Sequence, residues 1–265
     1  QVELSLMRGE HHEVARAYVL YREHRNQERT RIASPAHPDT PRLHINQDGQ
    51  RVALDVTHLL ARIEAACSGL SADVQAQAIL EQTLPNLYDG VSIDDVYKAT
   101  ILAARTLIEK DPAYTYATAR LLLQTIAREV LGRDVATNGM GQAYADNFPD
   151  FIRQGIAAEL LDERLAQFDL QRLGGALMAE RDRQFDYLGL QTLYDRYFLH
   201  INKRRIELPQ SFFMRVAMGL ALNEIDRETR AIEFYEVLSR FDFMASTPTL
   251  FNSGTRRAQL SSCYL

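Results

Sequence analysis

The sequence predicts a mainly α protein with a small β-hairpin, and three observations carry that prediction. Apolar residues recur at helical spacing in block after block between residues 55 and 240. One Asp48-Gly49 pair sits between two short alternating runs, the commonest short hairpin signal. The last twenty residues then change character, passing from a small-polar loop into a strand-like run that holds a cysteine. With 265 residues the chain is long enough for a sizeable core and about two domains.

Residues 1 to about 31 read as a short helix (Val2, Leu4, Leu6, Met7) and a longer one striped by Val14, Ala15, Tyr18, Val19 and Tyr21. Pro35, Pro38 and Pro41 stop any helix and make 34–42 a semi-rigid linker. Leu43 to Leu54 form the hairpin. Helical patterns follow at 55–68, 70–84, 92–110 and 114–131, with Asp94 and Asp95 in an opening turn where carboxylates favour the helix dipole. Val14-Ala15-Arg16 echoes Thr118-Ala119-Arg120, which suggests a truncated first copy of one module before a complete second copy.

Beyond a glycine-containing stretch at 132–141, residues 142–245 read as a helical layer. Asn147-Phe148-Pro149 opens one helix, Leu170–Arg181 forms another and Tyr187–Phe198 a third. His200–Glu207 alternates around a turn and predicts a second hairpin. Pro209 suits a first helical turn, before an apolar face of Phe212, Phe213, Val216, Ala217, Leu220 and Ala221. A last helix, 226–240, turns Ile232, Tyr235, Val237 and Leu238 inward.

A net charge of −5 and a pI near 5.8 argue against a nucleic-acid binder. No apolar run is long enough for a bilayer and no leader opens the chain, so no membrane association and a cytoplasmic protein are expected. Cys67 and Cys263 are the only cysteines, which excludes a disulfide scaffold and a zinc ribbon. Cys67 closes a helical pattern and reads as packing. His11 and His12 point about 100° apart on a helix and make a poor metal pair; with His24 and His37 they read as polar surface. Glu180, Asp182 and Asp186 match no carboxylate motif, and no metal site is expected. The chain opens inside an expected helix and stops inside an expected strand, as an excised piece of a longer protein would.

The chemistry gathers at the end, in Ser246-Thr247-Pro248-Thr249-Leu250-Phe251-Asn252-Ser253-Gly254 and Leu260-Ser261-Ser262-Cys263. Small hydroxyls and free amides suit a phosphate-bearing ligand, and a thiol adds redox or nucleophilic capacity. A strand cysteine that merely packs is the ordinary alternative.

That string resembles the start of the catalytic barrel in the large (alpha) subunit of class I ribonucleotide reductase. Gln184–Arg196 and Phe213–Leu220 resemble the helical lead-in to the same barrel. The hairpin, its four helices and Tyr88-Asp89-Gly90-Val91 resemble an ATP-cone. The resemblance implies five regions: the last helices of a truncated first cone (1–33), the linker (34–42), a second cone (43–133), the N-terminal helical region (142–245), and the first strand and substrate loop of a ten-stranded α/β barrel (246–265).

It also implies that Cys263 is one redox-active cysteine whose partner lies downstream, and that Thr247 and Ser262 contact a ribonucleoside diphosphate. A metal-containing small (beta) subunit would supply the radical, thioredoxin or glutaredoxin the electrons, and ATP or dATP the allosteric control of what would be a homo-oligomer. No cofactor is implied for this chain, which alone should be inactive. The second cone departs from its pattern: Asn46-Gln47 replaces a cationic pair, His58 a lysine and Ile93 a threonine, so it is expected not to bind ATP or dATP. A cobalamin-dependent class II enzyme and a non-catalytic helical regulatory module are the alternatives.

Overall fold

The computed structural model describes residues 43–47 and 49–263. The helices expected before residue 31, the truncated first cone and the linker 34–42 lie outside the described residues. The chain divides into two compact units, to which the described residues contribute 43–54 with 85–92, and 55–84 with 93–263.

The first unit is a small sheet. Strands β1 (His44–Gln47) and β2 (Gln50–Ala53) pair antiparallel, His44 opposite Ala53 and Gln47 opposite Gln50. Gly49 takes φ 79° at their turn, where a residue with a Cβ would be strained. A third strand, β3 (Val91–Ser92), runs parallel to β1 with Ile45 opposite Val91 and completes the order β2-β1-β3. At two residues it is too short to alternate, so the sequence does not announce it. Asp89 holds it in place. Its carboxylate accepts from the His44 amide at 2.8 Å and pairs with the Arg51 guanidinium. The His44 amide bond in particular holds this carboxyl below its ordinary value.

The second unit is mainly helical, as the sequence predicts. It begins with α1 (Val56–Cys67), α2 (Ala76–Thr83), α3 (Ile93–Leu107) and α4 (Tyr114–Leu131). Asp55 caps α1 by accepting from the His58 amide at 2.9 Å. Gly132 closes α4 in the left-handed conformation. The helix expected from residue 70 starts only at Ala76. The Tyr114 hydroxyl claims the preceding turn instead, accepting from the Gln75 amide at 3.0 Å and donating to the Asp73 carbonyl at 3.2 Å.

Helix α5 (Met140–Ala157) starts seven residues before the expected Asn147 and carries Pro149 inside it. Proline there removes the amide that the Ala145 carbonyl would accept from. Gly174 lies over that carbonyl, close enough that a Cβ would stand 3.0 Å from the oxygen. The helix expected over 170–181 divides into α6 (Leu170–Gly175) and a 3-10 segment, Ala179–Gln184. Between them the Met178 amide donates to the Tyr235 hydroxyl at 2.8 Å and so leaves the helical pattern. Helix α7 (Tyr187–Thr192) loosens into a π-turn at Leu193–Tyr197.

The second hairpin is present as β4 (His200–Ile201) and β5 (Arg204–Arg205). Its turn residues Asn202 and Lys203 have φ 50° and 68°, the sense that two-residue hairpins need. Glu129 of α4 receives it, accepting from the Arg205 amide at 2.6 Å. Helix α8 (Pro209–Ala221) is buried at every residue from Pro209 to Met218, which marks it as the centre of the core. Phe212 and Phe213 meet edge to face 5.1 Å apart, and each is worth about 1.5–3 kcal/mol in burial. Leu220 at its far end is 38% exposed. Helix α9 (Arg227–Ser239) packs along α8 and buries Tyr235 and Leu238, whereas Val237 is 43% exposed. These two positions correct the inward faces read from the sequence. The last helix is α10 (Thr247–Asn252). Among the described residues no helix is long and apolar enough to cross a membrane.

Candidate active site

The site is built on α8. Arg215 and Glu207 are fully buried and paired, with Nε to Oε1 at 2.7 Å. A buried ion pair endures only when its remaining hydrogen-bonding groups are satisfied, and here they are. Glu207 Oε2 accepts from the Leu199 amide at 2.7 Å. Arg215 Nη1 donates to the carbonyls of Leu250 at 3.2 Å, Phe251 at 3.3 Å and Ser253 at 2.7 Å. These carbonyls end α10, so one guanidinium caps that helix and fixes the loop behind it.

Two glycines make the approach possible. A Cβ on Gly219 would stand 2.0 Å from the Gly254 nitrogen, and one on Gly254 would stand 2.6 Å from the Arg215 carbonyl oxygen. Gly254 also takes φ 77°. The Ser253 hydroxyl donates to the Val216 carbonyl at 2.7 Å, a second tie between loop and helix. On the other side Tyr197 stacks on Phe251 with centroids 4.3 Å apart. The same tyrosine brings its hydroxyl to 3.4 Å from Thr247 Oγ1.

The chain then returns along α10. Asn252 Nδ2 donates to the Gln259 carbonyl at 2.7 Å and Thr249 Oγ1 to the Leu260 carbonyl at 3.4 Å. Ser262 and Cys263 follow, exposed, with Ser262 Oγ 3.9 Å from Cys263 Sγ. Thr247 is also exposed, at the start of α10. All three residues singled out by sequence therefore lie on one anchored stretch with their polar atoms accessible. Ser262 is exposed and not buried against a neighbouring backbone. Nor does the full strand expected there form: the pairing is limited to an isolated antiparallel bridge of Thr255 with Leu161, with the Arg256 amide donating to the Leu160 carbonyl at 3.0 Å, and residues 257–263 belong to no strand among the described residues.

Cys67 sits half-buried at the end of α1, and burial pushes its thiol up to about 11, so it is protonated and unreactive at neutral pH. None of the positions read as departures from the cone pattern is a lysine or an arginine. Asn46 and Gln47 are exposed, Arg51 is engaged by Asp89, His58 is exposed and Ile93 half-buried. No group of three or more His, Cys, Asp or Glu side chains could hold a metal among the described residues.

Sequence reasoning missed both interior polar networks. Arg215 left one signal, a cation in the middle of an apolar helical face. Asp182 left none, since its partners come from distant segments: Tyr144 donates to Oδ2 and Gln210 to Oδ1, each at 2.7 Å. Burial raises this carboxyl to about 7 despite both hydrogen bonds. Tyr235 extends the chain by donating to Gln210 Oε1 at 2.8 Å.

Residues 183–258 match the family described as ribonucleotide reductase, all-alpha domain. This segment runs through α8, the buried ion pair and the anchored loop, and it defines the class. The chain is 42% identical over 269 residues to the ribonucleoside-diphosphate reductase subunit alpha of Chlamydia muridarum, covering 100% of this chain and 26% of that protein. It is 34% identical over 223 residues to the subunit alpha of Helicobacter pylori and 34% over 224 residues to the large subunit of Danio rerio. Each of those matches covers 83% of this chain and 27% of the relative. The chain belongs to the ribonucleoside-diphosphate reductase large-subunit family, as the N-terminal part of such a subunit, and spans about a quarter of the length of these relatives.

Proposed function

We propose that this chain carries one side of the substrate pocket of a class I ribonucleoside-diphosphate reductase. Thr247 and Ser262 hold oxygens of the ribonucleoside diphosphate, and Cys263 is one of two thiols that reduce it. Replacing the 2′-hydroxyl by hydrogen takes two electrons. Two thiols supply them by closing to a disulfide, and the hydroxyl leaves as water. Cys263 can contribute one sulfur, and the second thiol comes from outside this segment. A radical from the small subunit starts the reaction, and thioredoxin or glutaredoxin reopens the disulfide.

The observation that carries this reading is the anchored loop. Arg215, Gly219, Gly254 and Tyr197 fix the backbone of 247–254, while the hydroxyls and the thiol around it stay exposed. Preorganised groups of this kind bind without first having to be ordered. The 43–133 module is a cone that has lost its triphosphate-binding cations and takes neither ATP nor dATP.

The test uses the complete large subunit with its small subunit and thioredoxin. Cys263→Ser should abolish turnover of CDP while leaving CDP affinity within a few-fold of the parent, and Thr247→Val should weaken CDP binding. Thioredoxin-dependent turnover by Cys263→Ser would refute the assignment.

A further inference from the structure

A cavity of about 150 Å³ opens inside the helical unit, away from α10 and its loop. Its walls come from the end of α1, the middle of α4, residues 135–141 and the 3-10 segment Ala179–Gln184. Two side chains that line it each keep one fully buried polar atom without a partner: Arg120 Nε, a donor, and Gln124 Oε1, an acceptor. They stand one turn apart on the same face of α4. Other atoms of both side chains bond the α1 backbone. Arg120 Nη1 donates to the Ala66 and Ser68 carbonyls at 3.0 and 2.7 Å, closing the end of α1. Gln124 Nε2 donates to the Arg62 carbonyl at 3.1 Å, which leaves the amide oxygen as the unpaired atom. An unpaired buried donor or acceptor is destabilising. A cavity of this size beside two uncompensated groups can hold an occupant.

The charges indicate what that is. Arg183, also on the wall, makes no ion pair among the described residues, and it stands near enough to Arg120 to disfavour that guanidinium's charge, second only to burial. Of the carboxylates on the wall, Asp182 has both oxygens occupied by Tyr144 and Gln210, and Glu180 is exposed without an ion pair. The two guanidiniums therefore face the space with no bonded counter-charge. Ala127, Val135 and Met140 supply an apolar side. The volume is well beyond the roughly 30 Å³ share of one liquid water.

We propose that this cavity binds a small organic oxyanion, a phosphate ester or a carboxylate, with its anionic group between the Arg120 and Arg183 guanidiniums. Its apolar body lies against Ala127, Val135 and Met140. Such a ligand bridges α1 and α4 to the 179–184 segment, the same segment through which Asp182 holds α5 and α8. It joins the cone-like helices to the all-alpha region, where a bound metabolite can bias one against the other.

Thermal unfolding of the full chain at constant ionic strength tests this, with inorganic phosphate and acetate as probes and chloride as the reference. Phosphate, acetate or both should raise Tm with increasing concentration beyond the chloride control; which anion does so tells phosphate ester from carboxylate. Arg183→Gln removes an exposed side chain without an ion pair, so the ligand-free Tm should be unchanged while apparent anion affinity falls at least tenfold. Arg120→Lys, which keeps the charge but loses Nε, should weaken it too. No anion-specific shift would mean that water alone fills the cavity. An equal shift in parent and Arg183→Gln would mean adventitious ions only. Either result overturns the proposal.

Discussion

Replacing Arg215 by methionine keeps the length and apolar stem of the side chain but removes the guanidinium from a site with no access to water. Glu207 then loses its 2.7 Å contact to Nε and stays buried with only the Leu199 amide as a donor. The carbonyls of Leu250, Phe251 and Ser253 lose their shared donor at the same time. Breaking one side of a buried pair costs about 3–5 kcal/mol, chiefly from the charge left behind. Urea unfolding should read a loss of that size for Arg215→Met. Neutralising the stranded carboxylate removes most of the penalty, so Arg215→Met combined with Glu207→Gln should recover about 2 kcal/mol, within the range of coupling between contacting residues. Limited trypsin digestion gives a second readout, since release of the loop should speed cleavage after Arg256 and Arg257. A loss under about 1 kcal/mol, or a double variant as unstable as the sum of the two singles, would refute the view that a compensated charge anchors this loop.

Asp182 sets a pH dependence. The folded carboxyl keeps its proton up to about 7, whereas unfolded it releases it near 4, so the folded state binds more protons between these values and this group's contribution to stability falls as pH rises through that window. Compared with Asp182→Asn, the parent should lose stability from pH 5 to pH 8 in paired melting curves; parallel curves would contradict the assignment. Gly254→Ala places a Cβ both at φ 77° and against the Arg215 carbonyl, and should cost roughly 1–3 kcal/mol or more in urea unfolding; an unchanged midpoint would show that the loop is not closely held. Iodoacetamide at pH 8 should label exposed Cys263 well before Cys67, as peptide mass mapping would show, and faster labelling of Cys67 would contradict its burial. Calorimetric titration of the chain with dATP should give no binding heat at micromolar concentrations; a micromolar dissociation constant would overturn the reading of a degenerate cone.

The helices were legible because a stripe of apolar residues reports which face is buried, and α1, α3 and α4 follow their stripes closely, whereas α8 is buried on all sides from Pro209 to Met218 and α9 exposes Val237. Periodicity failed where a distant group took over the backbone. Tyr114 holds the turn before α2, and Tyr235 interrupts the helix expected after Leu170. Pro149 misled in another way. It suits a first helical turn, yet it lies well inside α5, at the point where Gly174 allows a close crossing. Thr247, Ser262 and Cys263 could be nominated from one short string. The residues that hold them could not, since Arg215 meets its loop carbonyls 35 to 38 positions along the chain and no local pattern encodes such a contact.

The parallel pairing of Ile45 with Val91 also bears on the order of folding. Strands β1 and β2 are joined by a tight turn and can meet on the microsecond scale of a hairpin. Strand β3 is separated from β1 by more than forty residues, and its few backbone bonds must first offset the entropy of closing that loop. The hairpin is therefore an early structure and the third strand a late one. Asp89, which grips both His44 and Arg51, acts as the latch that completes the sheet.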